Sequence, residues 1–226
     1  MQQQNVAVTG AAGALGSAVT ATLAGAGYRV IGIDYSTKIT QGNSLALELA
    51  GVDLTSAAAA QKAFERIGTE CGSLSALVNL AGGFAWETIE TGSLDTWDRL
   101  FRLNLHTTLN ATKAALPLLL ARGGSIVNVG AAGAMKADKG MGAYAASKSA
   151  VARLTESLAA ELLTRGVRVN AVLPSILDTP ANRAHMPDAP FDRWVSTDAL
   201  ANVIAFLISD AAVAVTGALI PVTGRV

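Results

Sequence analysis

The chain has 226 residues, enough for one large domain with a sizeable buried core. Apolar residues make up 51% and charged residues 15%, which excludes a disordered chain, and 17 basic residues balance 17 acidic ones, which excludes a strong overall field for nucleic acid. A lone cysteine, Cys71, rules out an intrachain disulfide and fits a reducing compartment, so a cytoplasmic location is expected.

In chain order, Met1 to Asn5 is polar, with neither a charged leader nor a long apolar run, so no signal peptide is expected. No apolar stretch reaches the ~20 residues of a membrane span. Asn5 to Val8 reads as a strand and Leu15 to Ala26 as a helix. Tyr28 to Ile33 is a second strand, and the alternating Leu45 to Val52 offers a third. Ser56 to Ile67 is helical, Leu74 to Leu80 a buried strand, and Leu94 to Ala121 a long helix. Gly124 to Val129 is strand-like, Ala143 to Leu163 helical and Val167 to Leu173 strand-like. Asp198 to Ile208 is helical, and Ala218 to Val222 is a last strand. This alternation predicts right-handed βαβ units in a single α/β domain over residues 1–226. The sheet is expected to be doubly wound and parallel, with about seven strands and helices on both faces. The only long irregular stretch, Asp178 to Val195, contains Pro180, Pro187 and Pro190 and is expected to be a substrate flap.

Between the first strand and first helix lies Val8-Thr9-Gly10-Ala11-Ala12-Gly13-Ala14-Leu15-Gly16. Gly10, Gly13 and Gly16 permit a tight turn, close backbone approach to a pyrophosphate, and close helix–strand packing. The main-chain N–H groups from Ala12 through Ala14 and Leu15 then face the phosphates at a helix N-terminus. Asp34 ends the second strand, 18 residues after Gly16. A carboxylate there accepts from the adenosine ribose and repels a 2′-phosphate, favouring NAD(H) over NADP(H), unless it is merely a strand-end turn residue. Asp53, followed by Leu54, either meets the adenine or caps the helix that starts near Ser56.

Tyr144-Ala145-Ala146-Ser147-Lys148 places a phenol and an ammonium one helical turn apart. The ammonium is expected to lower the phenol pKa and suit it to proton transfer. On its own the pair also fits a solvated helix face. With Thr9 to Gly16, Asp53, Asn79-Leu80-Ala81-Gly82, Asn104 and Asn170-Ala171-Val172-Leu173-Pro174, however, the chain resembles the short-chain dehydrogenase/reductase family over essentially its whole length. The resemblance implies a Rossmann-type domain with Tyr144 as general acid/base and Lys148 on the nicotinamide ribose. Asn104 would kink its helix and hold a relay water. Asn79, Ala81 and Gly82 would line the adenosine side, and Pro174, Ile176 and Thr179 the nicotinamide end.

Two residues depart from the family pattern. Ala14 stands where the common group has glycine, and Ala131, 13 residues before Tyr144, stands where the family has a serine that bonds the substrate oxygen. A methyl group cannot donate that bond. No serine lies between Gly130 and Gly142, and Ser125 is too far back. The dihydropteridine reductase branch of the family also lacks this serine. The chain is similar to that branch at Gly13-Ala14-Leu15-Gly16-Ser17, at Ala81-Gly82-Gly83-Phe84, and along Leu173 to Arg183 with Met186-Pro187.

Phe84, Trp86 and Trp194 suit a flat heterocyclic substrate, or simply pack. His106 and His185 lack metal-ligand spacing, so no metal site is expected, and Arg225 reads as a polar tail. Leu105 to Ala121 and Ala143 to Leu163 are apolar on more than one stripe, and the resemblance implies a homodimer or homotetramer built on them. Three functions stay open: reduction of a C=N or quinonoid ring, general carbonyl/alcohol oxidoreduction, or non-catalytic NAD(H) sensing. In each the partner is a small molecule, with no nucleic acid and no membrane.

Overall fold

The computed structural model describes residues 4–39 and 45–226. The polar start at Met1 therefore lies mostly outside the described residues. The strands are β1 (Asn5–Thr9), β2 (Arg29–Ile33), β3 (Leu47–Leu49), β4 (Ala76–Asn79), β5 (Gly124–Val129), β6 (Val167–Pro174) and, at the far edge, Leu219–Val222. They form one seven-stranded parallel sheet in the order β3-β2-β1-β4-β5-β6 followed by the Leu219–Val222 strand. The third strand is shorter than the alternating pattern suggested, because only Leu47 to Leu49 pair with β2.

The chain runs outward from β1 to β3, then returns to place β4 on the other side of β1. Thr9 and Asn79 stand in register where these two strands end. Strand order reverses there, which opens a crevice beyond the carboxyl ends of the sheet. Helices α1 (Ala14–Gly25), α2 (Ala57–Cys71), α3 (Leu94–Phe101), α4 (Thr107–Leu120) and α5 (Gly142–Leu162) cover the sheet with a later helix at Thr197–Ile208. One core packs Ile31, Ile33, Phe64, Leu77, Leu119 and Ile126 beneath α2, α4 and α5. The other packs Val6, Val8, Val19, Leu23, Ile204 and Leu207 on the opposite face. Both faces of each central strand are thus buried, which is why these strands read as unbroken apolar runs. No helix among the described residues is long and apolar enough to cross a membrane.

Two elements differ from the sequence reading. The helix expected from Leu94 to Ala121 is interrupted by a π-helical segment at Arg102–His106. Thr107 and Thr108 donate their hydroxyls back to the carbonyls of Leu103 and Asn104, and such bonds bend a helix. The stretch from Asp178 to Val195 is not irregular. Strand β7 (Leu177–Asp178) pairs with β8 (Val195–Ser196), enclosing helix α6 (Pro180–His185). Thr179 caps α6 by accepting from the Asn182 N–H, and Pro180 occupies its first turn. Proline is tolerated there because its missing N–H would have had no helical partner. The last helix is then α7 (Thr197–Ile208) and the edge strand β9 (Leu219–Val222).

Phe64 is 1% exposed and ranks among the largest fully buried side chains. Phe64→Ala should lower unfolding free energy by about 3–5 kcal/mol in urea titration.

Candidate active site

The crevice begins with the turn after β1. Gly10 has φ +67°, and a Cβ there would lie 2.9 Å from the Ala81 nitrogen. Only glycine meets both conditions without strain. A Cβ on Gly16 would lie 2.1 Å from the Gly10 carbonyl, so the turn and α1 can close on each other only without a side chain. Gly13 is the N-cap of α1 and supplies no side-chain acceptor. The N–H groups near Ala14 and Leu15 therefore lack a side-chain cap, the usual arrangement for receiving a phosphate. Ala12, Gly13 and Ala14 are exposed.

Asp34 reaches this turn. One carboxylate oxygen accepts from the Ala12 N–H at 2.9 Å, the other from Ser36 N–H at 2.8 Å. The strand-end Asp thus stands beside the phosphate turn rather than apart from it. Asp53 does not cap α2, which corrects one of its two expected roles. It accepts from the Thr55 N–H and hydroxyl, and Ser56 is the residue that caps α2. The Leu54 side chain is buried and its carbonyl accepts from Asn110, so neither group is free to read a base. Asn79 is also buried. Its amide bridges Thr112 and Asn128, so its side chain ties the sheet to α4 instead of lining a ligand surface.

Thr9, given no role by the sequence, takes one here. Its hydroxyl oxygen accepts from both Leu80 and Ala81 N–H groups, clamping the end of β4 to the end of β1. The adjoining Gly82 lets Asn104 and Lys148 approach: a Cβ there would stand 2.5 Å from Asn104 Oδ1 and 3.4 Å from Lys148 Nζ.

Helix α5 delivers Tyr144 and Lys148. Lys148 is buried and donates to the Val129 carbonyl at 2.7 Å. Burial pulls its pKa down from 10.5 to about 8. Tyr144 rests edge-on against Phe84, with ring centroids 4.9 Å apart, and burial pushes its phenol up from 10.0 to about 12. This corrects the expectation of a lowered phenol pKa. Exclusion of water penalises the phenolate and raises the pKa. At neutral pH the pair is therefore a neutral phenol, a proton donor, beside an ammonium. No hydrogen bond to the Tyr144 hydroxyl is present among the described residues.

Asn104 lies fully buried in the π-helical segment, as the expected kink required. Its amide exchanges two bonds with Gly83 and donates to the Ser147 hydroxyl at 2.9 Å. Both amide hydrogens are thereby used, so the side-chain nitrogen has none left for a relay water. Ser147 donates in turn to the Tyr144 carbonyl. No local pattern signals this Asn104–Ser147–Tyr144 link, since Asn104 and Ser147 are 43 positions apart.

Ala131 is buried and extended, and its carbonyl accepts from the Ala134 N–H. Among the described residues, three serine hydroxyls are each engaged elsewhere. Ser147 is committed to Tyr144, Ser149 donates to the Ala134 carbonyl, and Ser125 donates to Leu207. Of the aromatic candidates, Phe84 is 57% exposed beside Tyr144 and is well placed to face a ligand. Trp86 fills the space above the Gly140 backbone, while Glu87 N–H bonds the Gly140 carbonyl. It braces the loop before α5. Trp194 is 7% exposed and packs edge-on against Phe191, within the segment between β7 and β8. Pro174 is buried at the end of β6, the Ile176 carbonyl accepts from Val195, and the Thr179 hydroxyl caps α6. These three form the base of the flap.

A cavity of about 470 Å³ opens at the opposite ends of the strands, near Asn5, Ser75, Gly124 and Arg168. It lies away from Tyr144 and Lys148, and the Arg168 guanidinium on its wall donates to the carbonyls of Leu207 and Ser209. His106 and His185 are exposed, and no group of three potential metal ligands occurs among the described residues.

Residues 10–224 match a protein-family model described as enoyl-(acyl carrier protein) reductase. The chain is 32% identical to 2-(S)-hydroxypropyl-CoM dehydrogenase 3 of Xanthobacter autotrophicus, over 99% of this chain and 96% of that protein. Its structure is similar to a short-chain type dehydrogenase/reductase from Mycobacterium ulcerans, with TM-score 0.91 and 28% identity over 100% of this chain and 90% of the other. It is also similar to a 3-ketoacyl-(acyl-carrier-protein) reductase from Brucella melitensis complexed with NADH, with TM-score 0.88 and 26% identity over 98% of each chain.

The two shifted groups set opposite pH dependences. Lys148 contributes stability that is present above 10.5 and is lost as pH falls through about 8. Tyr144 contributes stability present below 10.0 and lost as pH rises through about 12. Between pH 8 and 10 the native chain should therefore gain thermal stability relative to Lys148→Met, as read by paired melting curves. Parallel curves would contradict the buried ammonium.

Proposed function

Because the chain belongs to the short-chain dehydrogenase/reductase family, whose members are oxidoreductases that bind NAD(P)(H), we propose that it is an NAD(H)-dependent oxidoreductase in which Tyr144 is the proton donor. The observation that carries this reading is that Asn104 and Lys148 close on Gly82 just past the end of β4, with Tyr144 one turn before Lys148 on α5. The site residues fit the cofactor. The Gly10 to Gly16 turn leaves room for phosphates at an uncapped helix end, and Asp34 places a carboxylate where the adenosine ribose would lie.

A bound nicotinamide would supply or accept hydride. The chain's own residues do the rest. Tyr144 holds its proton at Oη at neutral pH and gives it to the substrate heteroatom. Lys148, held by the Val129 carbonyl, keeps a positive charge near that centre and is positioned to meet the nicotinamide ribose. Asn104 and Ser147 fix the turn of α5 that carries Tyr144. Phe84 limits how the substrate approaches the phenol. With Tyr144, Lys148 and Asn104 all in place, a purely sensing role is the weaker reading.

The substrate is a C=N or quinonoid ring, of the kind reduced by the dihydropteridine reductase branch. Ala131 supports this reading, because reduction of a simple ketone concentrates charge on an oxygen that no serine is there to meet. A ring disperses that charge. The second reading, a carbonyl or alcohol substrate, is favoured by the names of the relatives, such as the dehydrogenase of Xanthobacter autotrophicus. A homodimer or homotetramer in the cytoplasm accompanies either reading. The support is that Leu109 on α4 is 40% exposed, while Leu116 and Leu154 are only partly buried.

Oxidation of NADH by purified protein, measured against quinonoid dihydropterin, imines and ketones, tests the proposal. Tyr144→Phe should abolish most turnover while NADH affinity stays within about twofold, and a fully active variant would move the acid elsewhere. NADH should bind more tightly than NADPH, and Asp34→Ala should narrow the gap; equal affinities in the native chain would reject that role. Ala131→Ser should raise ketone turnover, with ~10²–10³ as the full worth of such a donor, and leave ring reduction unchanged. High native ketone turnover that is indifferent to Ala131→Ser would establish the carbonyl reading.

A further inference from the structure

The flap has two limbs with different anchors. The first limb, Thr179 to His185, is secured within itself and to its own base. Asn182 donates to the Leu177 carbonyl, and Arg183 forms a bidentate pair with Asp178 at 2.6 and 2.8 Å. The second limb, Phe191 to Trp194, is secured from outside the flap. After β9, the segment Thr223 to Val226 runs beneath it. The Arg225 N–H donates to the Arg193 carbonyl at 3.0 Å, and the Arg225 guanidinium donates to the Asp192 carbonyl at 2.8 Å. Ser175, at the flap base, bonds the same segment through its N–H to Val222 and its hydroxyl to the Thr223 carbonyl. Gly224 has φ +62°, and a Cβ there would lie 2.7 Å from the Arg193 carbonyl. The approach is too close for any side chain.

Beyond the short β7–β8 pairing at the base, the limbs meet through one described ring contact. The Arg183 guanidinium lies 4.6 Å from the centre of the Phe191 ring. Phe191 is itself braced edge-on by the buried Trp194, with centroids 4.8 Å apart. A charge over an aromatic face is attractive, so this contact adds to the anchors of α6 at its own base and links its position to that of Phe191.

We propose that Arg225 is a positioning residue for the flap: by holding the Asp192 and Arg193 carbonyls it fixes Phe191, and Phe191 sets the position of α6 over the substrate. Arg225 touches neither substrate nor cofactor in this scheme. It acts through the main chain of residues 192 and 193 and then through Arg183. The effect on turnover rests on the oxidoreductase reading above; the effect on the flap does not. The Arg225–Asp192 ion pair is long, at 3.9 Å, and both side chains are 75% exposed. Solvent screens such a pair, so the Asp192 carbonyl matters and its carboxylate does not.

Amide hydrogen exchange on the cofactor-free protein decides the structural step. Arg225→Ala should speed exchange at residues 192–195 and in α6 at least tenfold, with β1, β4 and β5 unchanged. Gly224→Ala should do the same, Arg225→Lys should recover part of the protection, and Asp192→Ala should match the native chain. Unchanged flap exchange in Arg225→Ala, or acceleration spread evenly over the whole sheet, would overturn the proposal. Steady-state assays then use NADH with quinonoid dihydropterin or cyclohexanone, whichever is turned over. Arg225→Ala should raise the KM of that substrate three- to tenfold, with kcat and NADH affinity within twofold. A KM equal to the native value would overturn the link to substrate. If neither probe is turned over, the proposed function fails, and the exchange data still decide whether Arg225 holds the flap.

Discussion

At the end of β1 the backbone turns at Gly10 so tightly that it lies against Ala81, at the end of β4. Thr9 stitches the same two strands together by accepting from two successive N–H groups of the neighbouring chain segment. This close approach is where the sheet reverses its strand order. Helix α1 and its exposed N–H groups stand on one side of the junction. Gly82, Asn104 and Lys148 stand on the other. A side chain at residue 10 or 16 would force the two apart, and the phosphate turn would separate from the acid–base centre.

Behind that junction lies a buried polar chain. Asn79 donates to Asn128 and Thr112, and Asn128 donates to Thr155. It connects β4 and β5 to α4 and α5 through groups that water does not reach. Buried amides bond only in a restricted geometry, so this chain sets the register of α5 against the sheet more sharply than apolar packing alone. Lys148 lies two helical turns before Thr155 on the same helix, and its bond to Val129 is made at the end of β5. The helix that bears the reactive phenol is thus fixed on the sheet at both points. Asn79 Oδ1 has no partner, a local cost that the two bonds of its nitrogen offset.

Burial acts on the two reactive groups in opposite chemical senses and to one result. It keeps the Tyr144 phenol protonated and makes the Lys148 ammonium easier to discharge. At neutral pH the site thus holds a protonated phenol near a buried ammonium. Ala131 adds no hydroxyl to this arrangement; its methyl group is buried and can neither donate nor accept a hydrogen bond.

The sequence by itself determined the strand and helix order, the parallel sheet, the glycine turn and the Tyr144–Lys148 spacing. Each of these rests on local periodicity or on the conformational limits of a few adjacent residues. Strand β3 is shorter than its alternating pattern, because pairing with β2 and not alternation decides where a strand stops. Three prolines make Asp178 to Val195 look irregular in sequence, yet Pro180 beside Thr179 starts a helix. What only the tertiary structure decided came from groups distant in sequence. Ser147 meets Asn104, Asp34 reaches Ala12, Leu54 and Asn79 turn into the interior, and Arg225 returns to the flap. The raised phenol pKa belongs to the same class. Spacing places an ammonium one turn from a phenol, but how far water is excluded from both depends on the packing of Phe84 and the sheet around them.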